Sequence, residues 1–383
     1  MFFVEGRDKD NAMVQPETLA EIQDFCAGSR AIVPVGARTK DALASGLHSS
    51  EAVLDMRRYR GIVSYDSSEF LITVRGGTTI SELQEVLAAK GQYLPFDPVF
   101  AARGATIGGS IASGISGSCR LLYGGLRDFM LEVAICNSAG REVRGGGKVV
   151  KNTAGFDLPK LVVGSYGRMG VITEATLKVF PAPQGWLTVR YEASSWNAAM
   201  DTGLKLLALP LPIAALEFDP AATLTIRLAG PLDSLALMAR RVTELMNPRR
   251  PLEVIEHSDA EARLWTERAE FGWSAGSLAL VRVSVAHHQC HALHAALGEM
   301  GDAARHVLSC GASVAWVALE KLDDLATLDR LLGDLKLSGV AVCGPPEFTV
   351  LGDRRWIANS ERIRHALDPE NKFASYALDV ALN

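Results

Sequence analysis

The chain reads GATIGGSIAS from Gly104 to Ser113 and VVGSYGRMGVITEATLKV from Val162 to Val179. Glycine has no Cβ, so glycines this dense beside β-branched runs imply backbone lying very close to something flat or charged. Neither stretch is a standard phosphate-binding fingerprint: G-x-G-x-x-G between a strand and a helix is absent, and so is G-x-x-x-x-G-K-[ST]. Taken alone, Gly108, Gly109, Gly114 and Gly117 fit a structural loop as well as a ligand-hugging one. A third segment belongs with them. The apolar run Ala31 to Val35 enters Gly36-Ala37-Arg38-Thr39-Lys40, either an anion nest of successive N–H groups at a strand end or a plain turn into a helix.

Working outward, residues 17–28 read as a helix with Thr18 as N-cap. Short strands follow at Val53 to Met56, Ile62 to Tyr65 and Leu71 to Arg75, then a helix from Thr79 to Ala89 closed by Gly91. Leu131 to Asn137 and Glu142 to Arg144 form a hairpin, and Val171 to Phe180 a further strand. The Pro181-to-Gly185 cluster marks a domain boundary. Beyond it the order strand (187–192), helix (196–208), strands (214–218, 224–228), helix (232–246), strand (252–256) is that of one β-α-β-β-α-β unit. Helices near 259–270, 287–299 and 322–337, strands at 279–286 and 313–319, and a last helix near 360–367 complete the reading. The fold class is α+β, with domains at 1–183 and 186–340 and a C-terminal segment, 341–383, returning toward the first.

Five strings in fixed order carry a resemblance: LPFDP at 94–98, ATIGGSIASG at 105–114, GGLRDF at 124–129, GGKVVKNTAGFDLPKLVVGSYG at 146–167 and MGVITEATLKVFPAP at 169–183. They resemble the flavoprotein family typified by vanillyl-alcohol oxidase and p-cresol methylhydroxylase and, within it, the E subunits of bacterial glycolate oxidases. The resemblance spans roughly the first 185 residues. It implies a PCMH-type FAD-binding domain of two subdomains, followed by a ferredoxin-like (split βαβ) cap domain. It also implies FAD in extended form, with Gly36, Ala37, Arg38, Thr39 and Lys40 at the pyrophosphate and Asp97 and Pro98 near the isoalloxazine or its entrance. Thr106, Ile107, Gly108, Gly109 and Ser113 should line pyrophosphate and ring, with Gly117 supporting the turn. Gly164, Ser165, Gly170, Val171 and Ile172 should flank the ribityl and adenosine side. Lys148, Lys151 and Asn152 are polar candidates near the flavin or anchors of their loop.

Departures matter as much. Ala37 and Arg38 stand where relatives carry more glycine, and no histidine lies between residues 1 and 47, so the FAD is expected to be non-covalent. The H-x-G-D-G-N-x-H-like string that holds a metal beside substrate in the related D subunits has no counterpart here. His287, His291 and His294 have helical spacing, but no carboxylate or cysteine is placed to complete a site; no metal is expected. No residue presents itself as catalytic.

A net charge of −5 gives no footprint for nucleic acid or an anionic membrane. Six scattered cysteines without a C-x-x-C exclude a zinc or iron–sulfur site held by this chain and fit a reduced, cytoplasmic setting. The N-terminus turns polar too soon for a signal peptide, so association with the inner membrane would come only through partners. Three readings follow. The first is an FAD-binding subunit of a glycolate oxidase (glycolate dehydrogenase) hetero-oligomer with D-type flavoprotein and F-type iron–sulfur partners. The second is a stand-alone FAD-dependent oxidoreductase on a 2-hydroxy acid or alcohol, and the third a flavin-free assembly subunit.

Overall fold

The computed structural model describes residues 13–44, 52–147, 157–246, 252–345 and 349–375; Lys148, Lys151 and Asn152 lie outside them. The chain begins with β1 (Met13–Val14), α1 (Leu19–Gly28), β2 (Ile32–Val35) and β3 (Ala52–Asp55), whose strands pair in parallel in the order β1-β3-β2. Thr18 caps α1 as its sequence predicts: its hydroxyl accepts from Glu21 N–H, and the Glu21 carboxylate accepts from Thr18 N–H at 3.2 Å, a reciprocal capping box.

A second subdomain follows. Its strands β4 (Ile62–Asp66), β5 (Leu71–Arg75), β7 (Met130–Cys136), β8 (Glu142–Gly146) and β9 (Val171–Lys178) form an antiparallel sheet in the order β4-β5-β9-β7-β8. Between them lie α2 (Ile80–Ala88), the short β6 (Gln92–Tyr93), α3 (Ile107–Ser113), α4 (Arg120–Tyr123), α5 (Leu126–Phe129) and α6 (Leu158–Val162). Strand β10 (Phe180–Pro181) pairs with β6 and closes this half. The buried faces of α2 and α3, through Ile80, Leu83, Leu87, Ile107 and Ile111, belong to the same core as Ile72, Val74 and Leu177 of the sheet.

The remaining chain departs from its expected form in an informative way. One split βαβ unit was expected, and there are two. The first consists of β11 (Gly185–Glu192), α7 (Trp196–Leu207), β12 (Ile213–Phe218), β13 (Thr223–Gly230), α8 (Leu232–Glu244) and β14 (Leu252–Ile255). After α9 (Asp259–Ala269), the order repeats: β15 (Ala279–Ser284), α10 (Cys290–Glu299), β16 (Ala304–Ser309), β17 (Val314–Leu319), α11 (Asp324–Asp334) and β18 (Ser338–Cys343). The units join edge to edge through β12 and β16 into a nine-stranded antiparallel sheet, ordered β14-β11-β13-β12-β16-β17-β15-β18-β19, with β19 (Val350–Gly352) at its end. Strand β18 runs through position 340, so the sheet continues past the boundary expected there.

One face of this sheet carries α7, α8, α10 and α11 around a single apolar core. The other face presents Leu280, Val314, Trp316, Ala318 and Val342 to Phe96, Phe100 and Ile107 of the first domain. Phe271 wedges between the layers, its ring 5.2 Å from Phe100 and 4.4 Å from Trp316. After α12 (Ile357–Leu367) the tail returns to the first domain. Ile32 N–H donates to Lys372 O, and the Lys372 ammonium reaches the carbonyls of Cys26, Ala27 and Ser138.

At the seam between the two units Phe218 and Leu308 are in register and Gly311 N–H donates to Leu216 O at 3.0 Å, and side chains add to this short pairing. Trp196 of α7 stacks on His294 of α10 at 3.8 Å, and His294 Nδ1 faces Nε2 of His306 on β16 at 3.1 Å. His294, a candidate in the helical histidine trio, is thus engaged in packing. Burial, then the neighbouring His294, pushes the His306 imidazole down to about 4. A histidine neutral in the fold but free to charge when unfolded stabilises above its unfolded value and loses that contribution on acidification. Urea midpoints should therefore fall as pH drops from roughly 6.5 toward 4, and a His306→Leu variant should show a flatter profile over that window.

Candidate functional site

The two glycine-rich stretches lie side by side. Gly164 N–H donates to Ile111 O at 3.1 Å and Tyr166 N–H to Ala112 O at 2.8 Å, so the loop before β9 is bonded along α3. On the other side of α3, Ile107 N–H donates to Thr78 O and Gly108 N–H to Gly76 O, both at 2.8 Å. Thr106 caps α3, its hydroxyl accepting from Gly109 N–H at 3.2 Å. These contacts explain several glycines without any ligand. A Cβ on Gly108 would sit 2.8 Å from the Gly76 carbonyl oxygen, one on Gly36 would strike the Thr106 hydroxyl, and one on Gly114 would meet Gly164 N at 3.0 Å. Gly164 differs: it holds φ +82° and would place a Cβ in open space.

Between the two subdomains this packing leaves a continuous cleft. Its inner part is walled by Pro34, Val35 and Gly36 on one side and by Gly76, Thr106, Gly108, Gly109, Gly170, Val171 and Ile172 on the other, with Met56 at the end. The outer part runs along Gly36, Ala37, Arg38, Thr39 and Lys40 to Ser113 and Tyr166. The inner end is apolar, with Val35, Met56, Val171 and Ile172 all buried. The outer part is polar. Lys40 is only 9% exposed, and its ammonium meets the Thr39 hydroxyl at 3.3 Å and the Phe100 ring face at 5.6 Å. No carboxylate lies within ion-pair distance of it among the described residues, and burial pushes it down to about 8. An apolar pocket leading to a glycine-walled slot that carries the cations Arg38 and Lys40, with the Asp41 carboxylate at its rim, fits a nucleotide base followed by a diphosphate.

The structure thus gathers twelve of the candidate residues around the cleft: Gly36, Ala37, Arg38, Thr39, Lys40, Thr106, Gly108, Gly109, Ser113, Gly170, Val171 and Ile172. The others lie elsewhere. Ile107 is a core residue of α3, and Ser165 is buried in the turn behind the cleft wall. Gly164 borders a neighbouring hollow that shares Ser113 and Tyr166 with the outer cleft. Asp97 and Pro98 line a separate hollow with Tyr93, Trp186 and Arg227. The Asp97 carboxylate accepts from Cys119 N–H at 2.8 Å, and its burial raises it above the usual carboxylate range. Gly117 packs directly against that carboxylate and donates its N–H to Asp97 O, so this pair shapes a turn at the domain interface. Sequence reasoning missed Met56, Gly76, Tyr166 and Gly167. The Gly76-Gly77 pair directly after a strand was a usable signal, whereas Met56 carries none.

The cleft thus lies between a small parallel sheet and an antiparallel one, with the large antiparallel sheet packed over both. Residues 11–146 match the family model described as "FAD binding domain". FAD is the cofactor that this match gives to residues 11–146. It is 40% identical over 213 residues to glycolate oxidase subunit GlcE of Escherichia coli strain K12, covering 55% of this chain and 59% of that protein. It is 32% identical over 222 residues to glycolate oxidase subunit GlcD of Bacillus subtilis strain 168, covering 56% and 47%. The chain thus spans about half of the curated relatives it matches. Among solved structures, an alkyldihydroxyacetonephosphate synthase superposes with a TM-score of 0.68 over 94% of this chain and 75% of that one at 15% identity, a likeness of fold. No helix among the described residues is long and apolar enough to cross a membrane.

The backbone contacts set a direct test. Gly108→Ala must push α3 away from Gly76, and its unfolding free energy should drop by about 1–3 kcal/mol in urea titrations.

Proposed function

We propose that the chain is the FAD-carrying subunit of a complex that oxidises glycolate to glyoxylate, with a D-type flavoprotein and an F-type iron–sulfur protein as partners. The observation that carries this reading is the 40% identity over 213 residues to a glycolate oxidase E subunit. Met56, Val171 and Ile172 of the apolar inner part would hold the adenosine end of FAD. Gly36 to Lys40 and Gly109 would hold the diphosphate, with the Lys40 ammonium as a counter-charge. Ser113 and Tyr166 at the outer mouth would flank the ring end. Non-covalent attachment is part of this reading, in keeping with a cleft lined by no histidine among the described residues. When bound, FAD supplies the two-electron redox chemistry; this chain's residues bind it, orient it and shield it. Soluble subunits meeting a membrane only through partners complete the picture.

Two measurements check it. The purified chain should show flavin absorbance and release all of it on acid precipitation, and it should turn over glycolate only when the D- and F-type partners are present. Full turnover by the isolated chain would instead select an independent oxidoreductase, the reading favoured by the cationic hollow beyond the cleft mouth. Lys40→Met should raise the FAD dissociation constant at least about tenfold, equivalent to ~1.4 kcal/mol. The apo-variant should melt no lower than the wild type, because a buried cation has been removed. Wild-type FAD affinity should weaken as pH rises through about 8, where Lys40 loses its proton in the empty cleft.

A further inference from the structure

Beyond Ser113 and Tyr166 the cleft opens into a hollow of about 420 Å³ at the domain interface. Arg120 of α4 and Arg127 of α5 reach it from the first domain, and Arg282 of β15 from the cap sheet. None of the three has a carboxylate within ion-pair distance among the described residues. Arg282 is half-buried and donates to the Ser284 hydroxyl at 3.1 Å. Burial works against its protonated form, the neighbouring Tyr166 favours it, and the like charge of Arg120 opposes it. The one carboxylate in the lining, Asp128, accepts from Gly125 N–H at 2.9 Å. Three guanidinium groups against one carboxylate leave a surplus of two positive charges. Ile115, Leu126, Val163 and Val340 supply apolar wall between the cations.

We propose that this hollow is a binding site for a small organic dicarboxylate, whose two carboxylates take the guanidinium forks while its carbon spacer lies on the apolar wall. Planar guanidinium groups pair with carboxylates through two parallel hydrogen bonds. Two negative charges neutralise the surplus, whereas a monocarboxylate leaves one cation uncompensated. The site takes its ligand from both domains and adjoins the ring end of the proposed FAD position. In that respect it builds on the proposed function, but it rests on the arginines and not on the flavin.

The test is calorimetric titration of the purified full chain with malonate, acetate and inorganic phosphate, with flavin content read separately from absorbance. Malonate should bind at least tenfold more tightly than acetate. Arg282→Gln should weaken malonate at least tenfold while leaving flavin content and melting temperature unchanged. Arg120→Gln, on a short helix of the other domain, should weaken it as well and serves if the first variant does not fold. Equal affinity for acetate and malonate, malonate binding untouched by both substitutions, or phosphate binding more tightly than malonate would each overturn the assignment. A chain that binds malonate but neither holds flavin nor takes up added FAD would leave this site standing and remove the proposed cofactor placement instead.

Discussion

Everything in the first domain hangs on two peptide strips packed at backbone distance. Gly164 and Tyr166 donate to the carbonyls of Ile111 and Ala112, while Gly108 donates to Gly76 on the opposite side of α3. Helix α3 is thereby fixed between the edge of β5 and the loop that enters β9. Side chains would hold these strips several ångströms apart. Glycine lets the walls of the cleft be backbone, and backbone walls present N–H groups and little bulk, which is what a flat or anionic ligand requires.

The second constraint acts from the cap sheet on the Gly36 loop. The Cys343 thiol reaches Thr39 O at 3.6 Å, Gly344 N–H reaches the Asp41 carboxylate at 3.4 Å, and the Thr349 hydroxyl donates to Ala42 O at 2.5 Å. The loop that carries Lys40 is therefore clasped by the turn between β18 and β19, three hundred residues later in sequence. From the other side the C-terminal tail pins β2, the strand that feeds the same loop, through Ile32 and Lys372 O. A buried cation that costs free energy in the empty cleft can stay in place because the backbone around it is fixed from two directions.

How much of this was legible in the sequence depended on whether the deciding contact was local. The capping box of α1, the helix after Thr79 and the glycine at each close approach are local features, and they stood in the residue pattern. The order of five strings carried the cofactor domain. The second split βαβ unit did not stand out, because β16, ARHVLS, mixes charged and apolar residues in a short run. Its strand character comes from pairing with β17 along six residues. Asp97 was placed near the ring by resemblance, yet its carboxylate turns toward Cys119 and Gly117; nothing local distinguishes a carboxylate that faces a ligand from one that braces a turn.

That turn belongs to an ionic belt which explains why one side of the domain interface is closed and the other open. Arg227 of the cap sheet pairs with Glu261 through two hydrogen bonds of 2.8 and 2.9 Å, stacks at 4.0 Å on Trp186 and touches the Cys119 thiol at 3.4 Å. Beside it, Glu217 binds both Arg268 and the Ser118 hydroxyl. Each buried guanidinium there has its carboxylate, so the belt is electrically settled and has no unmet demand for a ligand. Across the same interface, Arg120, Arg127 and Arg282 surround an open volume that they share with Asp128 alone among the described carboxylates, and none of the three is in ion-pair contact among the described residues. The same residue type therefore does opposite work on the two sides. Where the carboxylates are built in, arginine holds the domains together; where they are missing, the interface keeps a cationic space next to the mouth of the cofactor cleft.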